Sequence, residues 1–157
     1  MFVYSVRAST VKFFTVVALI VAALVGAMVI GNSRAVAASA GVGIKFSGIK
    51  TNDDRIEFIS QFGPEVSGEP IETVKFSVPE SFDKVIAAYN EVQKSQGLNL
   101  EKYKNKKVTR YTYKIDKWGD YEGEVCVNLI IYRSTVVACD ISSKDPSGFI
   151  EPLIKLN

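Results

Sequence analysis

The chain of 157 residues contains no histidine. That absence excludes Ser-His-Asp and Cys-His nucleophilic sites, every His-ligated metal site and the usual proton switch near neutral pH. Its two cysteines, Cys126 and Cys139, are too few to make a structural zinc site without histidine. An enzyme built from what remains would use carboxylate, Lys, Tyr or Ser-Lys chemistry, and nothing in the pattern calls for a cofactor. Acidic residues are missing from residues 1–40, which carry Arg7, Lys12 and Arg34. Of the 19 basic and 17 acidic residues of the whole chain, 16 basic and all 17 acidic ones therefore lie beyond residue 40. A domain so close to neutrality gives no electrostatic case for a nucleic-acid partner.

What the sequence has instead is one long apolar run, Phe13 to Ile30, reading FFTVVALIVAALVGAMVI. As a helix it would be about 27 Å long, close to the thickness of a hydrocarbon core, and it has no polar stripe. Basic residues ahead of it favour a cytoplasmic N-terminus, with the rest of the chain outside. Two outcomes follow. The run is a permanent single-pass anchor, or it is a signal peptide cleaved near Ala37, after the small-x-small triplet Ala35-Val36-Ala37, which would release the protein. Its length favours the anchor. The expected organisation is a cytoplasmic stub and membrane segment over 1–30, a tether over 31–50 rich in Ala, Gly and Ser, and an extracytoplasmic domain over 51–157. Val42 to Phe46 can form a short edge strand within the tether.

The periodicities beyond the tether predict an α+β domain of order α-β-α-β-β-β, with helices packed on an antiparallel sheet. Thr51 to Phe62 reads as a helix, with Thr51 or Asn52 as cap, Asp53 and Asp54 in the first turn and Gly63-Pro64 as its stop. Glu72 to Val78 alternates as a half-buried strand ending at Pro79. Glu80 to Gln96 is the clearest helix, with Phe82, Val85, Ile86, Tyr89 and Val92 on one face and Gly97 suited to a left-handed C-cap. Lys106 to Asp116 reads as a strand, and Val125 to Tyr132 with Thr135 to Ser142 as a hairpin turning at Arg133-Ser134. The tail from Phe149 to Ile154 can form a short capping helix.

The stretches RIEFISQFG (55–63) and FSVPESFDKVIAAYNEVQKSQGLNLEKYKNKKVTRYTYKI (76–115) resemble a bacterial domain-of-unknown-function family, number 4830. YNEVQKSQG, LEKY and RYTY are the most specific pieces, and the resemblance covers roughly residues 50–150. Where the family pattern has Trp after the first Gly, this chain has Pro64. The resemblance implies an exported or membrane-anchored protein of Gram-positive anaerobes. It brings no catalytic residue and no ligand.

Three groups of residues are candidates for function. Lys104, Lys106, Lys107, Arg110 and Lys114 form a basic, tyrosine-bearing segment. It suits an anionic partner such as lipid headgroups or wall polymers, or else a solvated face whose lysines guard against edge pairing. With Ile131 facing Val136 and Val127 facing Asp140, the hairpin would be apolar on both faces. One face would then carry Ile130, Tyr132, Val137 and Ile141, to be covered by a helix or by a partner. Cys126 and Cys139 would share that face diagonally, too far apart for easy bridging and so favoured as two buried thiols, although a two-residue shift would align them for a disulfide. The loop from Asp116 to Glu124 gathers acidic oxygens, at a spacing that suits a turn better than a calcium loop. The expectation is a non-catalytic interaction or sensing module held at a membrane, in contact with an envelope protein. A cell-envelope enzyme using carboxylates or a Ser-Lys pair is the alternative.

Overall fold

The computed structural model describes residues 43–66 and 68–155. The apolar run at 13–30, and with it the anchor or cleavage site, lies outside the described residues. Among those described, no helix is long and apolar enough to cross a membrane.

Helix α1 spans Asn52–Ser60 and starts from a capping box. The Thr51 hydroxyl accepts from the Asp54 amide at 3.1 Å, and the Asp54 carboxylate accepts from the Thr51 amide at 2.7 Å. Those amide donors, Thr51 first and Lys50 second, hold the Asp54 acid below its ordinary value. Strand β1 is Glu72–Ser77. Helix α2, Lys84–Lys94, begins later than the expected Glu80, because Asp83 is its N-cap and accepts from the amides of Val85 and Ile86 at 2.9 Å. It ends as expected: Gly97 has φ 78°, and the Leu98 amide reaches back to the Gln93 carbonyl at 3.0 Å. A 3-10 turn over Leu100–Tyr103 leads into β2, Lys107–Lys114, then β3, Val125–Tyr132, and β4, Thr135–Ser143. The tail forms no helix. Its Ile150–Glu151 is a short strand, β5, paired with Ile141 and Ser142.

Among the described residues the sheet is antiparallel in the order β1-β2-β3-β4-β5, with two helices packed on it, one on each face. Phe58 and Ile59 of α1 meet Tyr113, Val127, Leu129 and Ile141 on one side. Tyr89 of α2 meets Phe76, Val108, Ile130 and Ala138 on the other. Burying each such side chain contributes roughly 1.5–3 kcal/mol. Two cores back to back explain why β3 is apolar at nearly every position rather than at every second one.

The hairpin departs from the expected register after two pairs. Tyr132 faces Thr135 and Ile131 faces Val136, but Ile130 then faces Ala138, Leu129 faces Cys139 and Val127 faces Ile141. A β-bulge absorbs Val137, and one extra residue moves everything beyond it on β4 to the opposite face. The gain is polar pairing. Asp140 would have opposed Val127, and it opposes Asn128 instead.

The two edges of the sheet differ. The outer edge of β4 is covered along its length. Ser47 bridges Thr135, the Val136 amide donates to the Phe46 carbonyl at 2.8 Å, and the Ile49 amide donates to Ser134 at 3.0 Å. Ile49 is buried, so the last residues of the expected tether lie on the domain. In the middle, α2 and the turn after it supply side chains: Gln93 accepts from the Cys139 amide at 2.9 Å, and Gln96 donates to the Cys139 carbonyl at 2.8 Å. β5 covers the remainder. By contrast, β1 has no neighbour on its outer side among the described residues, and Ile71 just ahead of it is 47% exposed.

Candidate functional site

Polar residues buried under α2 form one connected group. Asp140 is only 3% exposed. Its carboxylate accepts from the Tyr89 hydroxyl and from the Asn128 amide, both at 2.8 Å. Asn128 also donates to the Ser142 hydroxyl at 2.9 Å and accepts from Thr112 at 2.8 Å. Burial raises the Asp140 acid above its ordinary value, against the opposing pull of Asn128, Tyr89 and the nearby Arg110 charge. Burial, with the Asp140 charge added, likewise pushes the Tyr89 phenol well up. Both carboxylate oxygens are engaged within the protein. The arrangement fixes β4 against α2 and β3 and leaves no oxygen turned to a substrate. Sequence reading placed Asp140 opposite Val127 and so missed this group; the pairing of an Asn with an Asp across a hairpin was the available signal.

The expected basic segment is divided. Lys104, Lys106 and Lys107 stand together at the end of the sheet where Ser77 meets Lys107 and Tyr132 meets Thr135. Arg110 lies midway along β2 and pairs with Glu72. Lys114 is at the far end, opposite Cys126. Alternation along β2 gave the shared face correctly but not its length: eight residues separate the ends of a strand by over 20 Å.

The structure also gathers cations that the sequence keeps apart. Arg133, at the β3–β4 turn, lies over the Tyr132 ring, and Tyr132 packs on Tyr103 with ring centroids 5.6 Å apart. Lys45 precedes the Phe46 and Ser47 contacts to the same turn. At the opposite end, the 115–124 connection bears Asp116, Asp120, Glu122 and Glu124 around an open cleft of about 660 Å³. Among the described residues, no group of three or more Cys, Asp or Glu side chains is placed to hold a metal ion.

The expected apolar face does not form. The bulge puts Ile141 in the core beneath α1, while Ile130 and Val137 lie beneath α2 and Tyr132 is half-buried beside them. The same shift places the two cysteines on opposite faces as free, buried thiols, so they form no disulfide. Burial raises both thiols, Cys126 to about 11, which leaves neither a nucleophile at neutral pH.

Among the described residues, a five-stranded antiparallel meander with a helix on each face and a closed polar core defines a small α+β domain. The chain belongs to the family described as Domain of unknown function (DUF4830), whose pattern matches residues 58–141. Those residues run from α1 to β4 and include the whole α2–β2–β3 unit. No curated protein and no solved structure matches the chain.

Proposed function

We propose that this is a non-catalytic interaction or sensing module, held at the outer face of a membrane by the run at 13–30, that binds an extended segment of an envelope protein along β1. The observation that carries this reading is the contrast between the edges. Every stretch of β4 is covered by strand, side chain or tail, whereas among the described residues no strand pairs with the outer side of β1, where Thr73, Lys75 and Ser77 are exposed. An open edge offers main-chain donors and acceptors to an added strand. The enzyme reading needs paired carboxylates in a pocket, and the one deeply buried acid, Asp140, has Asn128 and Tyr89 as its partners.

The test is a photo-crosslinking residue at Thr73 in the full chain in native membranes, with a second at Gln61 beyond α1 as control. One protein captured from Thr73 and not from Gln61 is the expected result. Equal or absent capture at both positions would remove the β1 reading. The intact mass of the recovered chain reads the attachment: a mass starting at Met1 means an anchor, and one starting near Ala38 means a released protein.

A further inference from the structure

We propose that the end of the domain bearing Lys45, Lys104, Lys106, Lys107 and Arg133 rests on the anionic phospholipid headgroups of the membrane that holds the chain. This inference rests on the membrane-tether reading given above.

Three observations carry it. The first is assembly. Lys45 reaches this end through the Ser47–Thr135 bridge, Lys104 to Lys107 through the Ser77–Lys107 pairing, and Arg133 through the β3–β4 turn. The ion pairs among the described residues join Lys94 to Glu91 and Glu101, Arg110 to Glu72 and Lys144 to Glu124, and take in none of these five cations. Of the acids nearby, Asp83 is engaged in capping α2, and Glu80 stands exposed two residues beyond Val78, which bonds Asn105 and Lys106.

The second is polarity. The opposite end carries Glu65, Asp116, Asp120, Glu122 and Glu124 against Lys114 and Lys117, with the Asp116 amide bonded to the Glu65 carbonyl. A domain near neutrality but charged oppositely at its two ends is oriented by a negative surface even though its net charge is small.

The third is where the chain enters. Gly43 to Phe46 lead into the domain at the basic end, beside the Arg133 turn. Only residues 31–42 lie between Ile30 and that point. Twelve residues reach at most about 40 Å when fully extended. The tether thus joins the domain at its basic end, and the acidic loop lies at the other end of the sheet. Lys45, Lys106, Lys107 and Arg133 are exposed at this end, and Lys104 is half-buried with its ammonium 5.0 Å from the Phe82 ring.

The experiment uses the full chain in lipid nanodiscs, one set of phosphatidylcholine and one containing phosphatidylglycerol, with hydrogen exchange as readout. Slower exchange at 104–107 and 133–135 on the anionic discs only is expected. It should vanish at ~1 M salt, where screening falls to ~3 Å. Changing Lys104→Gln, Lys106→Gln and Lys107→Gln together should remove it, each lysine being worth roughly fivefold in partitioning. Unchanged exchange along 125–131 checks that this variant is folded. Equal exchange on both disc types would overturn the inference. So would protection that appears only when a soluble polyphosphate is added, which would assign the basic end to an anionic polymer. Failure of the tether reads out separately: a chain that does not stay with phosphatidylcholine discs at high salt has no inserted anchor. In that case lysine-dependent sedimentation with anionic vesicles still decides the inference.

Discussion

Gln93 does for Cys139 what a neighbouring strand would do: its side-chain oxygen accepts the Cys139 amide at 2.9 Å, at the middle of the outer edge of β4. Gln96 completes the pairing by donating to the Cys139 carbonyl, and it accepts from the Ile154 amide at 2.9 Å, which ties down the tail. Helix α2 and the turn that follows it thus replace strand hydrogen bonds with two glutamines three residues apart.

Replacing either glutamine by Met keeps the volume and strands buried backbone groups. Gln96→Met should destabilise the domain by about 1–3 kcal/mol, since it leaves the Cys139 carbonyl and the Ile154 amide unpaired. Gln93→Met should fall at or below the lower end of that range, because the Gln93 side chain also buries an amide nitrogen with no partner. Urea denaturation gives the two values. The Cys139 amide should exchange faster in Gln93→Met and the Ile154 amide faster in Gln96→Met. Equal effects on both amides in both variants would contradict this division of labour.

Asp140 sets a pH dependence of unusual sign. Burial raises its acid in the folded state above the unfolded value. The contribution to stability is therefore complete below the unfolded value, near 3.9, and is lost as pH rises through the folded value. Asp54 and Glu124 act the other way, since their acids are lowered in the fold and their contributions are lost on acidification. The difference between wild type and Asp140→Asn isolates the buried group. Measured by denaturation from pH 4 to 8, the wild type should lose ground to the variant as pH rises. A constant difference would mean that Asp140 titrates normally.

The element types were legible because they rest on local chemistry. Thr51 as a cap, Gly97 as a C-cap and the alternation along β1 and β2 need no tertiary information. Helix α2 begins after Asp83 rather than at Glu80 because two acids, Glu80 and Asp83, precede Val85, and only the fold decides which one caps. The hairpin register was legible for two pairs. It failed at Val137, where a run of small and β-branched residues offers no local mark for a bulge, and the payoff, Asp140 against Asn128, lies further along. The candidate apolar face and the shared face of the thiols failed with it, while the two cysteines remain buried free thiols as expected. Of the basic cluster, the lysines close in sequence were visible. Lys45 and Arg133 join them only through pairing between distant segments.

The thiols provide a direct check on the register. On opposite faces, Cys126 and Cys139 cannot be bridged, and both are buried with raised thiol values. Iodoacetamide at pH 8 should leave the native protein nearly unlabelled and label both cysteines in denaturant without reductant. A protein that takes no label until reduced contains a disulfide, and the bulge at Val137 would then be wrong.

Arg133 and Ser134 both sit in the left-handed region, with φ of 44° and 65°. That is the arrangement of a two-residue hairpin turn that favours Asn-Gly, and a side chain there costs roughly 1–2 kcal/mol per residue relative to glycine. Ser134→Gly should therefore stabilise the domain by up to ~1 kcal/mol, after the added entropy of glycine in the unfolded chain is subtracted. Arg133→Asn should add a similar or smaller amount, because Asn tolerates the conformation but the contact of Arg133 with the Tyr132 ring is lost. Thermal unfolding of the two single variants and the double variant gives the values. The same variants separate stability from surface chemistry. Ser134→Gly leaves the cation in place and should not alter protection on anionic discs. Arg133→Asn removes the cation at the turn and should weaken that protection while raising the unfolding temperature. If Arg133→Asn is stabilised with its membrane protection intact, Arg133 is a turn residue only, and the basic end reduces to its lysines.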